Sequence, residues 1–243
     1  MSKRQTLDRL LSKLGIASRG ISAELIRTGR VRINHKVIYD PETWVSWPTD
    51  SVSVDKKEIQ QSLGRFFVLH KPCGYITTHR DEKQRKTIYD LLPKHLGFIH
   101  SVGRLDKATS GLLLLTNDSA LSHFLTDPIN RVPRTYLVTL WGEFTVEKIK
   151  AAKLGIIDNG EHLKCHAASI QKITKHESHL EVILTQGKNR EVRRLFKALG
   201  HEVTRLCRIQ YGPFKLAELP LGAWQELPID DVRALVAQSN LNP

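Results

Sequence analysis

One carboxylate in this sequence is placed where it could carry out chemistry. Residues 103–118 read GRLDKATSGLLLLTND, in which Asp106 precedes a small-residue turn and then the apolar run 112–115. Four consecutive leucines are stable only when buried, so the pattern predicts a carboxylate at the mouth of a core strand. The ordinary role of such an Asp is to cap the turn. A role as the nucleophile of a covalent reaction requires partners elsewhere in the chain.

A helix rich in arginine is the second candidate. Residues 187–200 read GKNREVRRLFKALG, with an apolar stripe from Val192 to Leu199, Asn189 as the predicted N-cap and Gly200 as the stop. Its basic side chains are Lys188, Arg190, Arg193, Arg194 and Lys197. Positive charge near a helix N-terminus opposes the helix dipole and costs stability. The placement therefore favours binding of an anion, although a basic exposed helix face is also an ordinary surface feature.

Residues 1–54 predict a small domain of their own. The predicted elements are a helix over 7–14, a second helix capped by Ser18, and strands at 31–33, 36–38 and 52–54. This layout resembles the small RNA-binding domain named after ribosomal protein S4. The departure is His35, where that family commonly has Gly. Because a tight type I′ turn needs positive φ at both central residues, His35 predicts a different turn after Asn34.

Basic side chains crowd the second helix and the hairpin of this domain. They are Arg19, Arg27, Arg30, Arg32 and Lys36. A solvated basic face is one interpretation, and contact with a nucleic-acid backbone is the one that the charge of the whole chain favours.

The remainder of the chain predicts a second, larger domain. Residues 55–63 are polar and lack periodicity, which indicates a linker. Residues 64–243 then alternate irregularly between strand and helix patterns, without the regular rhythm of a doubly wound sheet. The expected fold class is α+β, with a mixed and largely antiparallel sheet.

Composition restricts the partners and the location. The formal net charge is +12 over 243 residues, whereas a net charge of about 2–8 in magnitude usually suffices for the solubility of a small domain. A polyanionic partner is the natural explanation. The three cysteines are far apart and form no CxxC pair, which fits a reducing compartment and gives no zinc motif. No apolar run approaches the roughly 18 residues of a membrane span, so a cytoplasmic protein is expected.

Four segments in order along the chain carry a family resemblance. They are FFVLHKPCG (66–74), GRLDKATSGLLLLTND (103–118), RTYLV (134–138) and GKNREVRRLFKALGHEVTRLCRIQYGPFKL (187–216). Behind an S4-like domain, these segments resemble the RsuA-type pseudouridine synthases, which modify uridines in ribosomal RNA. The motifs NREVRRLF and LPLGAWQEL are nearest to the RluB-like enzymes. The resemblance implies a monomer that forms pseudouridine in large-subunit rather than small-subunit ribosomal RNA.

The resemblance also implies roles for individual residues. Asp106 aligns with the nucleophile of the family, Tyr136 with the tyrosine that stacks on the target base, and Arg193 with the basic residue that pairs with the aspartate. Arg104 aligns with an arginine that helps to hold the RNA once the base has left its stack. Asp106 and Arg193 are therefore expected in ion-pair range beside the Tyr136 ring.

The implied chemistry is consistent with these residue types. Isomerisation breaks the N1–C1′ bond, turns the base and joins C5 to C1′, with no change of redox state. No cofactor or metal is expected, and the sequence has no GxGxxG or GxxxxGK[ST] motif. A carboxylate can attack and later leave, and a guanidinium keeps it ionised and oriented. The base must be flipped out of the RNA onto an aromatic face. The atom that Asp106 attacks stays open.

Two other functions fit parts of the sequence. An RNA-binding ribosome-assembly factor could keep this scaffold without activity, but the presence of Asp106, Tyr136 and Arg193 disfavours it. A DNA-binding regulator that uses the N-terminal helices would leave most of the chain without a role.

Overall fold

The chain folds into two compact units. The computed structural model describes residues 3–60, 64–79, 81–93 and 96–239. The first unit comprises Met1–Arg65, Lys94–His100 and Thr116–Ser119, and the second comprises Phe66–Pro93, Ser101–Leu115 and Ala120–Pro243. No helix in the described part of the chain is both long and apolar enough to cross a membrane.

Two helices pack on short strands in the first unit. The helices are α1 (Leu7–Lys13) and α2 (Arg19–Arg27). The strands are β1 (Lys3–Thr6), β2 (Val31–Ile33), β3 (Lys36–Ile38), β4 (Trp44–Trp47), β5 (Val52–Val54) and β6 (Lys57–Glu58). One sheet has the order β3-β2-β5-β6, and β1 pairs with β4. Ser18 caps α2 by accepting a hydrogen bond from the Ile21 amide, as predicted. The leucine spacing of α1 buries Leu7, Leu10 and Leu11.

Two predictions for this unit are wrong. Asn34 and His35 have φ of 47° and 68°, so His35 does adopt the left-handed conformation that a type I′ turn requires. The side chain of Asn34 stabilises this turn, because its Oδ1 accepts from the Ser51 amide and its Nδ2 donates to Asp50. The predicted linker 55–63 also starts too early. Residues 57–58 form β6 against β5, and Ile59 is buried in the core of this unit.

A mixed sheet of nine described strands dominates the second unit. Its main path runs β13-β14-β10-β15-β9-β7-β17, with β16 beside β15 and β8 beside β9. The strands are β7 (Phe66–Lys71), β8 (His100–Val102), β9 (Ser110–Thr116), β10 (Arg134–Trp141), β13 (Ala167–Ile173), β14 (Glu177–Leu184), β15 (Val203–Tyr211), β16 (Phe214–Lys215) and β17 (Trp224–Leu227). A separate hairpin joins β11 (Ile156–Asp158) to β12 (Glu161–Leu163). The pairing of β10 with both neighbours is antiparallel, whereas β15 and β9 are parallel.

Four helices accompany this sheet. They are α3 (Ser119–Thr126), α4 (Val146–Leu154), α5 (Glu191–Ala198) and α6 (Ile229–Gln238). The leucine run of β9 is completely buried, and Leu112 and Leu114 pack in one cluster with Val232 and Val236 of α6. The predicted core strand after Asp106 and the α+β class are thus confirmed.

One row of residues crosses the three strands at the centre of the sheet. Tyr136 of β10 is opposite Arg208 of β15, and Arg208 is opposite Gly111 of β9. The register between β10 and β15 shifts between Thr135 and Tyr136, which marks an irregularity of the kind common beside active sites. Gly111 has a φ of +109°, and a Cβ on it would lie 2.2 Å from the Arg208 carbonyl oxygen. Only glycine permits this approach of the two strands.

Replacement of Gly111 by alanine is expected to destabilise the protein by about 2–5 kcal/mol, because the new methyl group collides with backbone and the φ is unfavourable. Gly142→Ala is the matched control, since Gly142 also has a positive φ but no atom lies within 4 Å of the position that its methyl group would take. That control should lose only about 1 kcal/mol. Urea unfolding of both variants measures the difference, and equal losses would contradict the packing explanation.

Candidate active site

A pocket in the second unit gathers residues that are distant in the sequence. It is lined by the loop between β8 and β9, by β10, by the loop that leads into α5, and by β15. Asp106, Arg104, Tyr136, Arg190 and Arg193 all line this pocket. The three predicted catalytic residues and the arginine of the GRLD motif therefore share one cavity.

The turn that carries Asp106 is held by a buried lysine. Lys71, the last residue of β7, has no exposed surface. Its Nζ donates to the carbonyl oxygens of Pro72 at 3.0 Å, Asp106 at 3.0 Å and Thr109 at 2.7 Å. The Asp106 carbonyl also accepts from the Thr109 amide at 3.0 Å. Lys71 therefore fixes both ends of the turn from Asp106 to Thr109, to which the Asp106 side chain belongs.

The burial of Lys71 has an electrostatic cost. Desolvation lowers the pKa of Lys71 to about 8, because burial disfavours the charged ammonium. The neighbouring Asp106 and Cys73 act on the pKa of Lys71 in the opposite direction, and Arg208 adds to the lowering. Among the described residues no carboxylate forms an ion pair with Lys71, so backbone carbonyls alone satisfy it.

Among the described arginines, Arg190 lies closest to the Asp106 carboxylate. Its Nη1 lies 3.5 Å from Asp106 Oδ2, and the Asp106 side chain is 35% exposed. Arg190 is the N-cap of α5 and has a φ of 49°, a left-handed conformation that is unfavourable for a side chain of this size. The prediction of Asn189 as N-cap is wrong by one residue. A side-chain hydrogen bond at the start of α5 comes instead from Glu191, whose carboxylate accepts from the Lys188 amide at 3.3 Å.

The expected ion pair between Asp106 and Arg193 is not present in the described structure. Arg193 Nη2 donates to the Ala108 carbonyl at 2.9 Å, and Nη1 donates to the Val203 carbonyl at 2.8 Å. Burial, and then the neighbouring Arg190, lower the pKa of Arg193, although a guanidinium stays charged in proteins. Arg193 lies in the first turn of α5 and reaches the backbone beside Asp106 rather than its carboxylate. It positions the Asp106 loop against β15.

Tyr136 is positioned by its place in the sheet. It is the third residue of β10 and is paired with Val182 on one side and Arg208 on the other. It is 9% exposed, and that small exposed part belongs to the pocket that Asp106 lines. An aromatic side chain at the wall of a pocket can receive a flipped base on its face.

The other predicted basic residues differ in whether a partner within the protein uses their charge. Arg19 and Arg30 form ion pairs with Asp8 and Asp55 within the first unit. Arg27 and Lys36 are exposed, Arg32 is half-buried, and none of the three has an ion pair among the described residues. Lys188 lines the pocket but donates to the His162 carbonyl at 2.6 Å.

Arg194 does not support the RNA contact expected of it. Its guanidinium forms ion pairs with Asp158 and Glu161, which tie α5 to the hairpin of β11 and β12. Its charge is therefore used inside the protein.

Three residues in or beside the pocket have no role that the sequence predicts. Lys71 ends an apolar strand, and nothing in the pattern FFVLHK separates a buried lysine from an exposed one. Glu191 is 4% exposed, and desolvation raises the pKa of its carboxyl. Arg208 is 2% exposed and donates from Nε to the Leu112 carbonyl at 2.8 Å. Arg208 lies two residues after the buried Leu206 on β15 and therefore on the same face of the sheet, a pattern that predicts burial but no function.

The described residues contain no group of three or more His, Cys, Asp or Glu side chains arranged to hold a metal ion. Five arginines line the pocket, and their guanidinium groups suit an anionic ligand.

Comparison with known proteins identifies the class to which this fold and pocket belong. Residues 65–198 match the family model described as RNA pseudouridylate synthase, and residues 5–52 match the S4 domain. The chain belongs to the RNA pseudouridylate synthase family and is an isomerase of that class. Both resemblances expected from the sequence are confirmed.

Individual relatives match over nearly their whole length. An uncharacterized RNA pseudouridine synthase of Aquifex aeolicus (strain VF5) is 36% identical, with 91% of this chain and 89% of that protein covered. The ribosomal large subunit pseudouridine synthase B of Bacillus subtilis (strain 168) is 34% identical, with 96% of each chain covered. A crystal structure of a pseudouridylate synthase is 30% identical with a TM-score of 0.66, and covers 96% of this chain and 100% of that one.

Lys71→Met is expected to destabilise the protein by about 1–3 kcal/mol near neutral pH, because buried carbonyl oxygens lose their donor. The advantage of the wild type over this variant should increase as the pH rises from about 8 towards 10.5. The pKa of Lys71 is about 8 in the folded state, whereas that of an unperturbed lysine is 10.5. Between these two pH values the unfolded state binds more protons than the folded state. Stability from this group therefore rises with pH, and it is lost as the pH falls through about 8.

Urea unfolding of the wild type and the variant at two pH values on either side of this window measures the effect. Other lysines titrate equally in both proteins and cancel in the comparison. A difference in unfolding free energy that stays constant with pH would show that Lys71 has an ordinary pKa.

Proposed function

We propose that this protein converts a specific uridine to pseudouridine in the ribosomal RNA of the large subunit. The observation that carries the proposal is one pocket that contains Asp106, Tyr136 and five arginines. The S4 domain supplies a second RNA-binding unit. The choice of the large subunit rests on the relative from Bacillus subtilis, whose name specifies that subunit.

Each pocket residue has a task that its surroundings support. The Asp106 carboxylate is the nucleophile, because it is partly exposed to the pocket and its backbone is fixed by Lys71. Arg190 contacts the carboxylate and orients it. The ring of Tyr136 receives the flipped uracil, and Arg104, exposed at the pocket edge, holds the RNA backbone.

A basic groove adjoins the pocket and offers a path for the neighbouring nucleotides. It shares Gln186, Gly187 and Lys188 with the pocket. Its lining also includes Arg131, Lys153 and Lys164, which are exposed and have no ion pair among the described residues. No Asp or Glu is among the described residues that line it. Unpaired cations in a lining that contains no described carboxylate suit phosphates of a single RNA strand.

Location and assembly follow from this substrate. We place the enzyme in the cytoplasm because ribosomal RNA is its proposed substrate there. We also propose a monomer, because one chain supplies the nucleophile, its arginine partners and the stacking ring. An inactive assembly factor would have no use for an aspartate held in this way.

Asp106→Asn should abolish pseudouridine formation while RNA binding is retained, because the amide keeps the shape of the side chain but is not a nucleophile. A fall in rate of at least about 10⁴-fold is expected. Release of tritium from uridine labelled at C5 measures the reaction, since C5 loses its hydrogen when it bonds to C1′. Asp230→Asn, at a 93% exposed side chain outside the pocket, is the control and should retain full activity. Normal tritium release by Asp106→Asn would exclude Asp106 as the nucleophile.

Replacing Arg131, Lys153 and Lys164 together with glutamine should weaken RNA binding and reduce its salt dependence. The slope of log K against log salt concentration should become shallower by about 2, which is about 0.7 for each single-strand phosphate that is no longer neutralised. The rate at saturating RNA should remain unchanged, because the groove does not touch the reacting base. The charge-matched control replaces Lys172, Lys175 and Lys215, which are exposed and do not line the groove. Equal slopes for the two triple variants would show that the RNA does not bind along the groove.

A further inference from the structure

Buried polar atoms without a hydrogen-bond partner are concentrated at the pocket. Five such atoms belong to residues that line it: Thr109 Oγ1, Gln186 Oε1, Glu191 Oε1, Arg193 Nε and Arg208 Nη2. Among the described residues only one other side chain, that of Gln5, has such an atom. Buried polar groups are nearly always paired in folded proteins, so a group of exceptions in one cavity points to a polar ligand.

Arg208 is the most unusual member of this group. It is 2% exposed, and its Nε donates to the Leu112 carbonyl at 2.8 Å. The guanidinium also lies over the Tyr211 ring, with 4.9 Å from Cζ to the ring centroid. Among the described residues no carboxylate lies in ion-pair range of it, and Nη2 has no acceptor at all. A buried charge without a counter-ion is strongly unfavourable, so the presence of this one indicates a function.

The sheet places Arg208 beside Tyr136, the residue on which the base is proposed to stack. Arg208 and Tyr136 are direct partners on β15 and β10. Residues directly opposite each other on adjacent strands project from the same face of a sheet, so the two side chains are neighbours. On the other side, the partner of Arg208 is Gly111, which has no side chain. The row therefore presents one aromatic ring and one cation to the pocket that Asp106 also lines.

We propose that Arg208 is a further catalytic residue, which donates a hydrogen bond from Nη2 to a carbonyl oxygen of the target uracil and stabilises negative charge on the detached base. This inference rests on the proposed function of the pocket. When the N1–C1′ bond breaks heterolytically, its electron pair stays on the uracil and is delocalised onto O2 and O4. The pair is used again when C5 bonds to C1′, after which C5 loses its proton and N1 gains one.

The role does not depend on the atom that Asp106 attacks. Every route that breaks the N1–C1′ bond heterolytically leaves a uracil anion in the pocket before the base is rejoined through C5. A fixed donor aimed at the developing charge in a dry site typically changes a rate by about 10²–10³-fold. Arg208 is held by a carbonyl, a ring and the sheet, so it needs no reorganisation during the reaction.

Arg208→Met tests the proposal, because it keeps much of the buried volume and removes the charge. Single-turnover loss of the target nucleoside is measured on two RNAs, one with uridine and one with 5-fluorouridine at the target. Nucleoside digests are separated by liquid chromatography before mass detection, because pseudouridine has the same mass as uridine. The uridine rate should fall by about 10²–10³-fold. The fold-loss with 5-fluorouridine should be at least ten times smaller than the fold-loss with uridine, because fluorine itself stabilises the base anion. Arg205→Met on the same strand, at an exposed arginine outside the pocket, should change neither rate.

The outcomes of this experiment separate the explanations. Equal losses on both RNAs would assign Arg208 a purely structural role, and unchanged rates would assign it none; either result overturns the proposal. If the wild type converts neither RNA, the proposed function itself fails. If Arg208→Met does not fold, Arg208→Lys carries the test, since a shorter cation should give a smaller loss with the same dependence on the base.

Discussion

The site depends on one buried ammonium group. Lys71 bonds to the carbonyls of Asp106 and Thr109, so the turn between them cannot move without breaking hydrogen bonds to a buried charge. An aspartate on an unrestrained surface loop would occupy many positions, and few of them would suit nucleophilic attack. The lowered pKa of Lys71 reflects the desolvation that this arrangement requires. Rigidity at Asp106 is thus obtained at the expense of an unfavourably buried cation.

The same arrangement recurs around the pocket. Arg193 is held by two carbonyls, and Arg208 by one carbonyl and an aromatic ring, so neither is neutralised by a carboxylate among the described residues. By contrast, Arg194 on the same helix as Arg193 is paired with two acids outside the pocket. Cations held by dipoles keep their field available to a ligand. The pocket therefore remains positive around a single exposed carboxylate, as a polyanionic substrate and an anionic intermediate require.

Local patterns in the sequence predicted most elements but not the contacts between them. The leucine run after Asp106 and the stripe of α5 each predicted the correct element, because periodicity depends only on nearby residues. The pairing of Asp106 with Arg193 was wrong, since Arg190 and Arg193 are three residues apart and the left-handed N-cap decides which one reaches the carboxylate. The turn at His35 was also wrong, because hydrogen bonds between the Asn34 side chain and residues Asp50 and Ser51 stabilise the turn and offset its unfavourable φ angles.

The order of strands explains why Arg208 could not be found in this way. In sequence it is one arginine among many in a basic chain, and its distance from Asp106 along the chain carries no information. The parallel pairing of β9 with β15 brings it beside the strand that follows Asp106, and the antiparallel pairing of β15 with β10 sets it opposite Tyr136. Both pairings include Arg208, and in the pairing with β9 a side chain on Gly111 would separate the strands. A glycine that looks like an ordinary turn residue in GRLDKATSG therefore allows the strand that follows Asp106 to approach Arg208, which lies opposite Tyr136.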